Sequence, residues 1–371
     1  MRRAGIVAAL AVAALVTPVQ SDAEPATRYL VVLDQTAELS AFTQRVPMRV
    51  DHRYETAING FSAWLSPSQV RTLAADKSVR SIVPDAEVRA LGEQPNPPSW
   101  GLDRIDQRRL PLDSRYQWVT EAANVTAYVI DTGIRATHSD FGGRVAGGID
   151  FVDDDGDPAD DNGHGTFIAG IIGGSRFGVA KQINLVPVRV LNSQGSGTIA
   201  DVVAGVDWVT RNARKPAVVN MSIGGAANTV LDNAVRNSIA SGVTYGVAAG
   251  SSASDARNFS PARVLEALTT AATNINDCTH PSSNYGPAID LYAPGVNIIG
   301  PWAASDTATM TLTGTSFSTP HVVGGAGLYL ATHPTATPAE VATALIDQST
   351  KDVVCNVKPG TPNRLLYTLP V

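Results

Sequence analysis

Cysteine is nearly absent from this chain: there are two in 371 residues. Cys278 and Cys355 allow one internal disulfide at most, and neither has a partner at the C-x-x-C spacing of a zinc or redox site. Whether they pair is left open by the sequence. Charge is sparse as well, at 17% of residues, and the balance is acidic, with a net charge of −6 and a pI near 5.5. That balance argues against a broad nucleic-acid surface. No H-E-x-x-H occurs, which removes the zincin mechanism, and no G-x-S-x-G elbow surrounds Ser316, which counts against an α/β-hydrolase. No repeat period is evident, and no stretch is long and apolar enough to span a bilayer. Hydrophobic content of 44% nevertheless marks a folded chain, long enough for one large domain and a smaller one.

What is present begins with a basic start, Met1-Arg2-Arg3, an apolar run from Ala4 to Val16, and small residues at Ser21-Asp22-Ala23. Residues 1–23 therefore read as a secretory signal, which places the protein outside the cell. Residues 24–91 read as a compact α+β module. Strands are expected at 28–34, 57–65, 79–83 and 86–90, and a helix is expected from Pro67 with Ser66 as its cap. Residues 92–99, with Pro95, Pro97 and Pro98, read as an exposed linker open to proteolysis. A small folding unit between a signal and a cuttable linker suggests a pro-segment.

From Trp100 to the C-terminus, apolar strand-like runs alternate with helix-like ones. Strands are expected at 127–130, 184–190, 218–221, 243–248 and 267–272. Helices are expected at 166–173, 199–212, 230–241, 320–331 and 338–347. Near-continuous apolar strands between helices predict an α/β fold, a parallel sheet covered by helices on both faces. Active sites in such sheets lie beyond the carboxyl ends of the strands.

Three residues then stand out. Asp131 ends a buried strand within Val129-Ile130-Asp131-Thr132-Gly133, where a carboxylate is costly unless paired. His164 sits between glycines in Asn162-Gly163-His164-Gly165-Thr166, which lets its backbone approach another segment closely. Of the other histidines, His52 lies in the pro-segment, His138, His280 and His333 fall in polar loops, and His321 packs within the helix after Ser316. Ser316, in Gly314-Thr315-Ser316-Phe317-Ser318-Thr319-Pro320, is expected at a helix N-terminus, with Pro320 in the first turn. Free N–H groups there suit a developing oxyanion beside a nucleophilic hydroxyl. Aspartate, histidine and serine occur in the order used by one of the three known triad arrangements.

The chain resembles the subtilisin-like serine proteases, in the proteinase K branch and nearest to aqualysin-type enzymes. The resemblance rests on Trp100-Gly101-Leu102-Asp103-Arg104-Ile105-Asp106-Gln107, on 128–134, 162–166, 219–225 and 314–324, and on Pro362-Asn363-Arg364-Leu365-Leu366-Tyr367. It spans residues 100–371 as a peptidase domain, and residues 24–91 look like the family's inhibitor-type propeptide. The resemblance implies a secreted endopeptidase made as a self-cleaving zymogen, monomeric, acting on proteins and peptides and held by its own propeptide. It implies the triad Asp131, His164 and Ser316. It also implies substrate-binding edges at Gly195, Ser196, Gly197, Ser222, Ile223 and Gly224, with Ala249 and Gly250 walling the primary pocket. Small walls imply apolar or aromatic preference. Structural calcium is implied, with Asp290 as a ligand beside carbonyls near Leu265 and Ala267. The acidic loop Asp153-Asp154-Asp155-Gly156-Asp157 reads either as a solvated turn or as a second calcium site.

The chain departs from the family at three places. Ser251 stands where the family carries its oxyanion-hole asparagine. Phe167 replaces a histidine, and Phe317 and Ser318 replace a Met-Ala pair. A slow enzyme is expected from Ser251, and a protein-binding pseudoprotease that keeps the fold is the second reading.

Overall fold

The computed structural model describes residues 25–86, 91–153 and 155–369. The expected signal, most of the expected strand at 86–90, and Asp154 lie outside those residues. The chain divides into two compact units, 1–89 and 90–371.

In the first unit the order is β1 (Thr27–Leu33), α1 (Leu39–Arg45), β2 (Arg49–Tyr54), β3 (Gly60–Leu65), α2 (Pro67–Ala74) and β4 (Val79–Pro84). The strands form one antiparallel sheet in the order β2-β3-β1-β4. Alternate residues Val31 and Leu33 of β1 and Phe61, Ala63 and Leu65 of β3 turn to one face, where Phe42, Val46 and Leu73 complete the core. Helix α2 starts as its sequence predicts. Ser66 accepts the Gln69 N–H, Gln69 returns the bond to the Ser66 N–H, and Pro67 takes the first helical position. Helix α1 and strand β2 were not expected. β2 is an edge strand and carries Arg49, Asp51, His52 and Arg53, so it shows no apolar run.

The second unit starts with β5 (Gly92–Pro95), α3 (Trp100–Ile105) and β6 (Arg115–Trp118). Residues 92–95, expected within an exposed linker, keep Glu93 and Pro95 exposed but pair antiparallel with β6, Gly92 opposite Trp118 and Pro95 opposite Arg115. Proline at the end of an edge strand removes no ladder bond that the pair needs. Next come β7 (Thr126–Asp131), β8 (Ile149–Asp150), α4 (His164–Gly173), β9 (Asn184–Arg189), α5 (Ile199–Asn212), β10 (Ala217–Met221) and β11 (Gly225–Ala226). They are followed by α6 (Thr229–Ala240), β12 (Thr244–Ala248), β13 (Phe259–Ser260), β14 (Leu268–Thr273), β15 (Leu291–Pro294), β16 (Ile298–Pro301) and β17 (Thr309–Leu312). The unit ends with α7 (Thr315–Thr332), α8 (Pro338–Gln348), β18 (Thr350–Lys351) and β19 (Arg364–Leu365).

Nine strands form the central sheet in the order β18-β19-β15-β14-β12-β10-β7-β9-β8, parallel except for the β18–β19 pair. Both faces are covered, as expected. Ala127 and Val129 of β7 join the core formed with α4, α7 and α8, whereas Tyr128 and Ile130 join the core formed with α5 and α6. Each fully buried valine or isoleucine contributes about 1.5–3 kcal/mol. Helix α7 passes through the first of these cores with fourteen of its eighteen residues buried. Its Gly324 rests on Val179 and its Gly327 on Ile183, where a β-carbon would come within 2.5 and 2.8 Å of those side chains.

The expected start of that helix moves. It begins at Thr315, so Pro320 lies inside it rather than in its first turn. A proline at 320 leaves the Ser316 carbonyl, four residues back, without its helical donor. The Ser222 hydroxyl takes that place, donating to the Ser316 carbonyl at 2.7 Å. Cys278 and Cys355 form a disulfide that closes a span of 77 residues.

Candidate active site

The order of the sheet reverses between β7 and β10: the chain leaves β7 towards β9 on one side and β10 towards β12 on the other. A crevice is expected at such a point, beyond the carboxyl ends of the strands. Asp131 is the last residue of β7 and Ser222 follows β10 directly. A cleft of about 830 Å³ lies there, lined by His164, Ser316, Ser222, Ile223 and Gly224 among others.

His164 is the first residue of α4. Its Nδ1 lies 2.7 Å from Asp131 Oδ1, and that oxygen also accepts the Thr132 N–H at 2.8 Å. Asp131 is fully buried, so an N–H donor is what makes its carboxylate tolerable. With the proton on Nδ1, Nε2 is left as the basic nitrogen. Burial opposes the imidazolium, but the Asp131 carboxylate, with a smaller push from Asp160, outweighs it, and the His164 pKa is raised. Both flanking glycines are required. Gly163 has φ +118° with the Trp302 indole where a side chain would stand, and a β-carbon on Gly165 would meet the Gly133 carbonyl at 2.1 Å.

Ser316 occupies the second position of α7. Its hydroxyl donates to the Ser222 carbonyl at 3.0 Å. Ser222 is fixed in turn by Asn220, whose Nδ2 donates to the Ser222 hydroxyl at 2.9 Å. Neither Asn220 nor this double link between 222 and 316 was singled out from the sequence; the chance to find it lay in Pro320, which strips the Ser316 carbonyl of its donor.

The other candidate residues gather in the same cleft: Gly195, Ser196, Gly197, Ala249, Gly250 and Ser251 all line it. Ser251 is exposed, and its hydroxyl lies on the Gly314 side, 3.9 Å from where a β-carbon on that residue would stand. The 249–254 loop is held by buried Asn284, which donates to the Ala249 carbonyl and accepts from the N–H groups of Ser252 and Ser254. The Gly250 N–H donates to Thr315 Oγ1 at 3.1 Å, which ties this loop to the turn that carries Ser316.

Phe167 and Phe317, noted as separate departures, touch each other edge to face at 4.9 Å between ring centres, and Phe317 also meets the His164 ring at 5.5 Å. His138, expected in a solvated loop, is buried, with Nε2 3.0 Å from the Ala308 carbonyl. His321 is buried as expected.

Asp290 lies apart from the cleft. One of its oxygens accepts the Thr269 N–H at 2.8 Å. Burial pushes its pKa up to about 7, against the pull of that N–H and of Arg364. A half-buried carboxylate so poorly compensated suits a cation's first ligand. Among the described residues no cluster of three acidic, histidine or cysteine side chains is present, so carbonyls or water would supply the rest. In the acidic loop, Asp153 pairs with Arg189 at 2.8 Å and Asp155 accepts the Asp157 N–H at 2.9 Å, as in a turn.

The family model described as "Subtilase family" matches residues 122–365, and the one described as "Peptidase inhibitor I9" matches residues 18–91. The chain is 51% identical over 320 residues to the "Extracellular serine proteinase" of Thermus sp. (strain Rt41A), covering 86% of this chain and 78% of that one. It is 44% identical over 365 residues to the "Alkaline serine exoprotease A" of Vibrio alginolyticus, covering 93% of this chain and 68% of that one. A crystal structure of a cold adapted subtilisin-like serine proteinase superposes with a TM-score of 0.72 at 50% identity, covering 73% of this chain and 98% of that one.

Proposed function

We propose, from the premise that this chain belongs to the subtilase family and is a serine endopeptidase with an I9 propeptide, that Ser316, His164 and Asp131 are its catalytic triad and that it is secreted as a self-cleaving zymogen. The observation that carries the triad is the 2.7 Å His164–Asp131 contact, at one end of the cleft that Ser316 shares.

In the first half-reaction His164 Nε2 takes the Ser316 proton while Oγ attacks the scissile carbonyl. Asp131 keeps the imidazole in the Nδ1–H tautomer and stabilises the imidazolium. The tetrahedral intermediate collapses as His164 gives the proton to the leaving amine, and an acyl ester remains on Ser316. Water, deprotonated by the same Nε2, cleaves that ester and restores the hydroxyl. The Ser316 N–H at the start of α7 is one donor to the oxyanion.

Gly195–Gly197 and Ser222–Gly224 offer backbone edges to which an extended peptide adds as a strand. The small walls at Ala249 and Gly250 fit an apolar or aromatic side chain. The first unit, as an I9 propeptide, acts as an intramolecular inhibitor until it is cut away. Calcium, held by Asp290 with carbonyls near Leu265 and Ala267, would brace the fold and take no part in the chemistry.

Ser251 sets the rate in this reading. Its hydroxyl is shorter than an asparagine amide, and loss of such a donor in a relative costs on the order of 10²–10³ in turnover. The test is the intact mass of the purified proprotein beside Ser316→Ala, followed by peptide-amide kinetics of Ser251→Asn. Wild type alone should lose its N-terminal unit, and Ser251→Asn should turn over faster. An uncut wild type would favour the binding-protein reading instead, and an unchanged Ser251→Asn rate would remove the role of Ser251.

A further inference from the structure

Asp160, four residues before His164, is 8% exposed and accepts five hydrogen bonds. Its Oδ1 takes the Thr132 hydroxyl at 2.8 Å, the Asn162 N–H at 3.0 Å and the Gly163 N–H at 2.8 Å. Its Oδ2 takes the Thr166 N–H at 2.8 Å and the Thr166 hydroxyl at 2.5 Å. All five donors belong to the two segments that carry Asp131 and His164. Thr132 is the residue after Asp131, and its oxygen accepts the Gly165 N–H at 2.9 Å. Gly163 and Thr166 flank His164 in the first turn of α4. A carboxylate at that position also faces the positive end of the helix.

We infer that Asp160 is a positioning residue for catalysis: it locks the end of β7 to the first turn of α4, so that Asp131 and His164 keep their distance through the cycle, and its charge supports the imidazolium. The inference rests on the triad assigned above. Positioning of this kind is worth much of a rate, because a misplacement of about 1 Å can cost on the order of 10². The electrostatic part follows from what faces His164. Asp131 from β7 and Asp160 from the preceding loop are the two carboxylates that raise its pKa. Helix α7 offers the uncharged Phe317 ring, and Arg189 from β9 is committed to Asp150, Asp153 and Asp161.

The test is Asp160→Asn in the full chain, matured and assayed on a peptide amide across pH. The amide keeps the shape, removes the charge and sets an NH₂ against the two Thr166 donors. We expect kcat to fall roughly tenfold or more with KM little changed. The acid limb of kcat/KM should move to lower pH, because the imidazolium has lost a nearby anion. Thr166→Ala keeps the charge and the Thr166 N–H bond and cuts the hydroxyl bond, one of the five, so it should lower kcat and leave the acid limb in place. An Asp160→Asn enzyme with the wild-type acid limb and wild-type kcat overturns the inference. Should that variant fail to fold, Thr132→Val, which removes the bridging hydroxyl, decides the matter: lower kcat supports the inference and unchanged kcat overturns it. Activity surviving in Ser316→Ala would instead overturn the triad, so the two failures are distinguishable.

Discussion

His321 should make the protein lose stability in mild acid, through the helix that carries Ser316. Its ring is fully buried in α7; Nδ1 lies 2.9 Å from the Phe317 carbonyl, and Nε2 has no partner. Gly101 stands against Nε2 so closely that a β-carbon there would meet it at 2.6 Å. Burial therefore pushes the pKa down to about 4, with the Phe317 and Ser318 backbone opposing weakly. The folded pKa is below the unfolded value of about 6.5, so below 6.5 the unfolded chain binds a proton that the folded one refuses. Stability must fall as pH drops from 6.5 to 4 and level off below. Integrating between those values gives about 3 kcal/mol in full, of which about 2 kcal/mol appears between pH 7 and about pH 4.5. The perturbation is His321→Asn, whose amide can reach the Phe317 carbonyl but does not titrate. The assay is urea unfolding of the full chain in a Ser316→Ala background, which prevents autolysis, followed by tryptophan fluorescence at both pH values. The asparagine variant should be less stable at pH 7 because of the cavity it leaves, yet lose about 2 kcal/mol less on acidification. Equal acid losses in the two proteins would refute the reasoning.

Three other outcomes are expected. Arg104 and Asp277 form a buried bidentate pair at 2.7 and 3.0 Å, so Asp277→Ala should cost about 3–5 kcal/mol, whereas replacing both partners by apolar residues should cost much less in the same denaturation assay. N-terminal sequencing of the mature enzyme should find a terminus no later than Gly92, because residues 92–95 are already paired with β6 and cannot also lie extended as substrate; a terminus beyond Pro95 would contradict this. Chelation should lower the thermal midpoint of the wild type and leave that of Asp290→Asn little changed, and equal shifts would remove Asp290 as the ligand.

The central sheet was legible because its strands are buried on both faces and read as unbroken apolar runs; the expected 127–130 became Thr126–Asp131, and the helix at 199–212 has the predicted ends. Two polar strands, β2 and β5, were not legible. β2 hides among arginines, and β5 hides behind prolines that an edge strand accepts. Histidine burial was misread at His138 because a short polar loop gives no sign that it will be clamped beneath the 302–308 segment by Asp306, whose carbonyl and carboxylate bind Ser139, Arg135 and Thr137. The candidate site residues visible in the sequence were those with a marked setting, as Asp131 at a strand end, His164 between glycines and Ser316 at a helix start. Asn220, Ser222 Oγ and Asp160 bond to the segments that carry those residues, and nothing in their local spacing distinguishes them from ordinary turn and cap formers.

Helix α7 has a consequence for how this protein can change. With fourteen of eighteen residues buried, and glycines pressed against Val179 and Ile183, it has almost no side on which a larger residue could be accepted. The cleft walls, by contrast, come from segments outside the central strands and helices, at 195–197, 222–224 and 249–252. Natural drift or a laboratory library should therefore find new cleavage preferences in those loops, while the helix that carries Ser316 tolerates few substitutions.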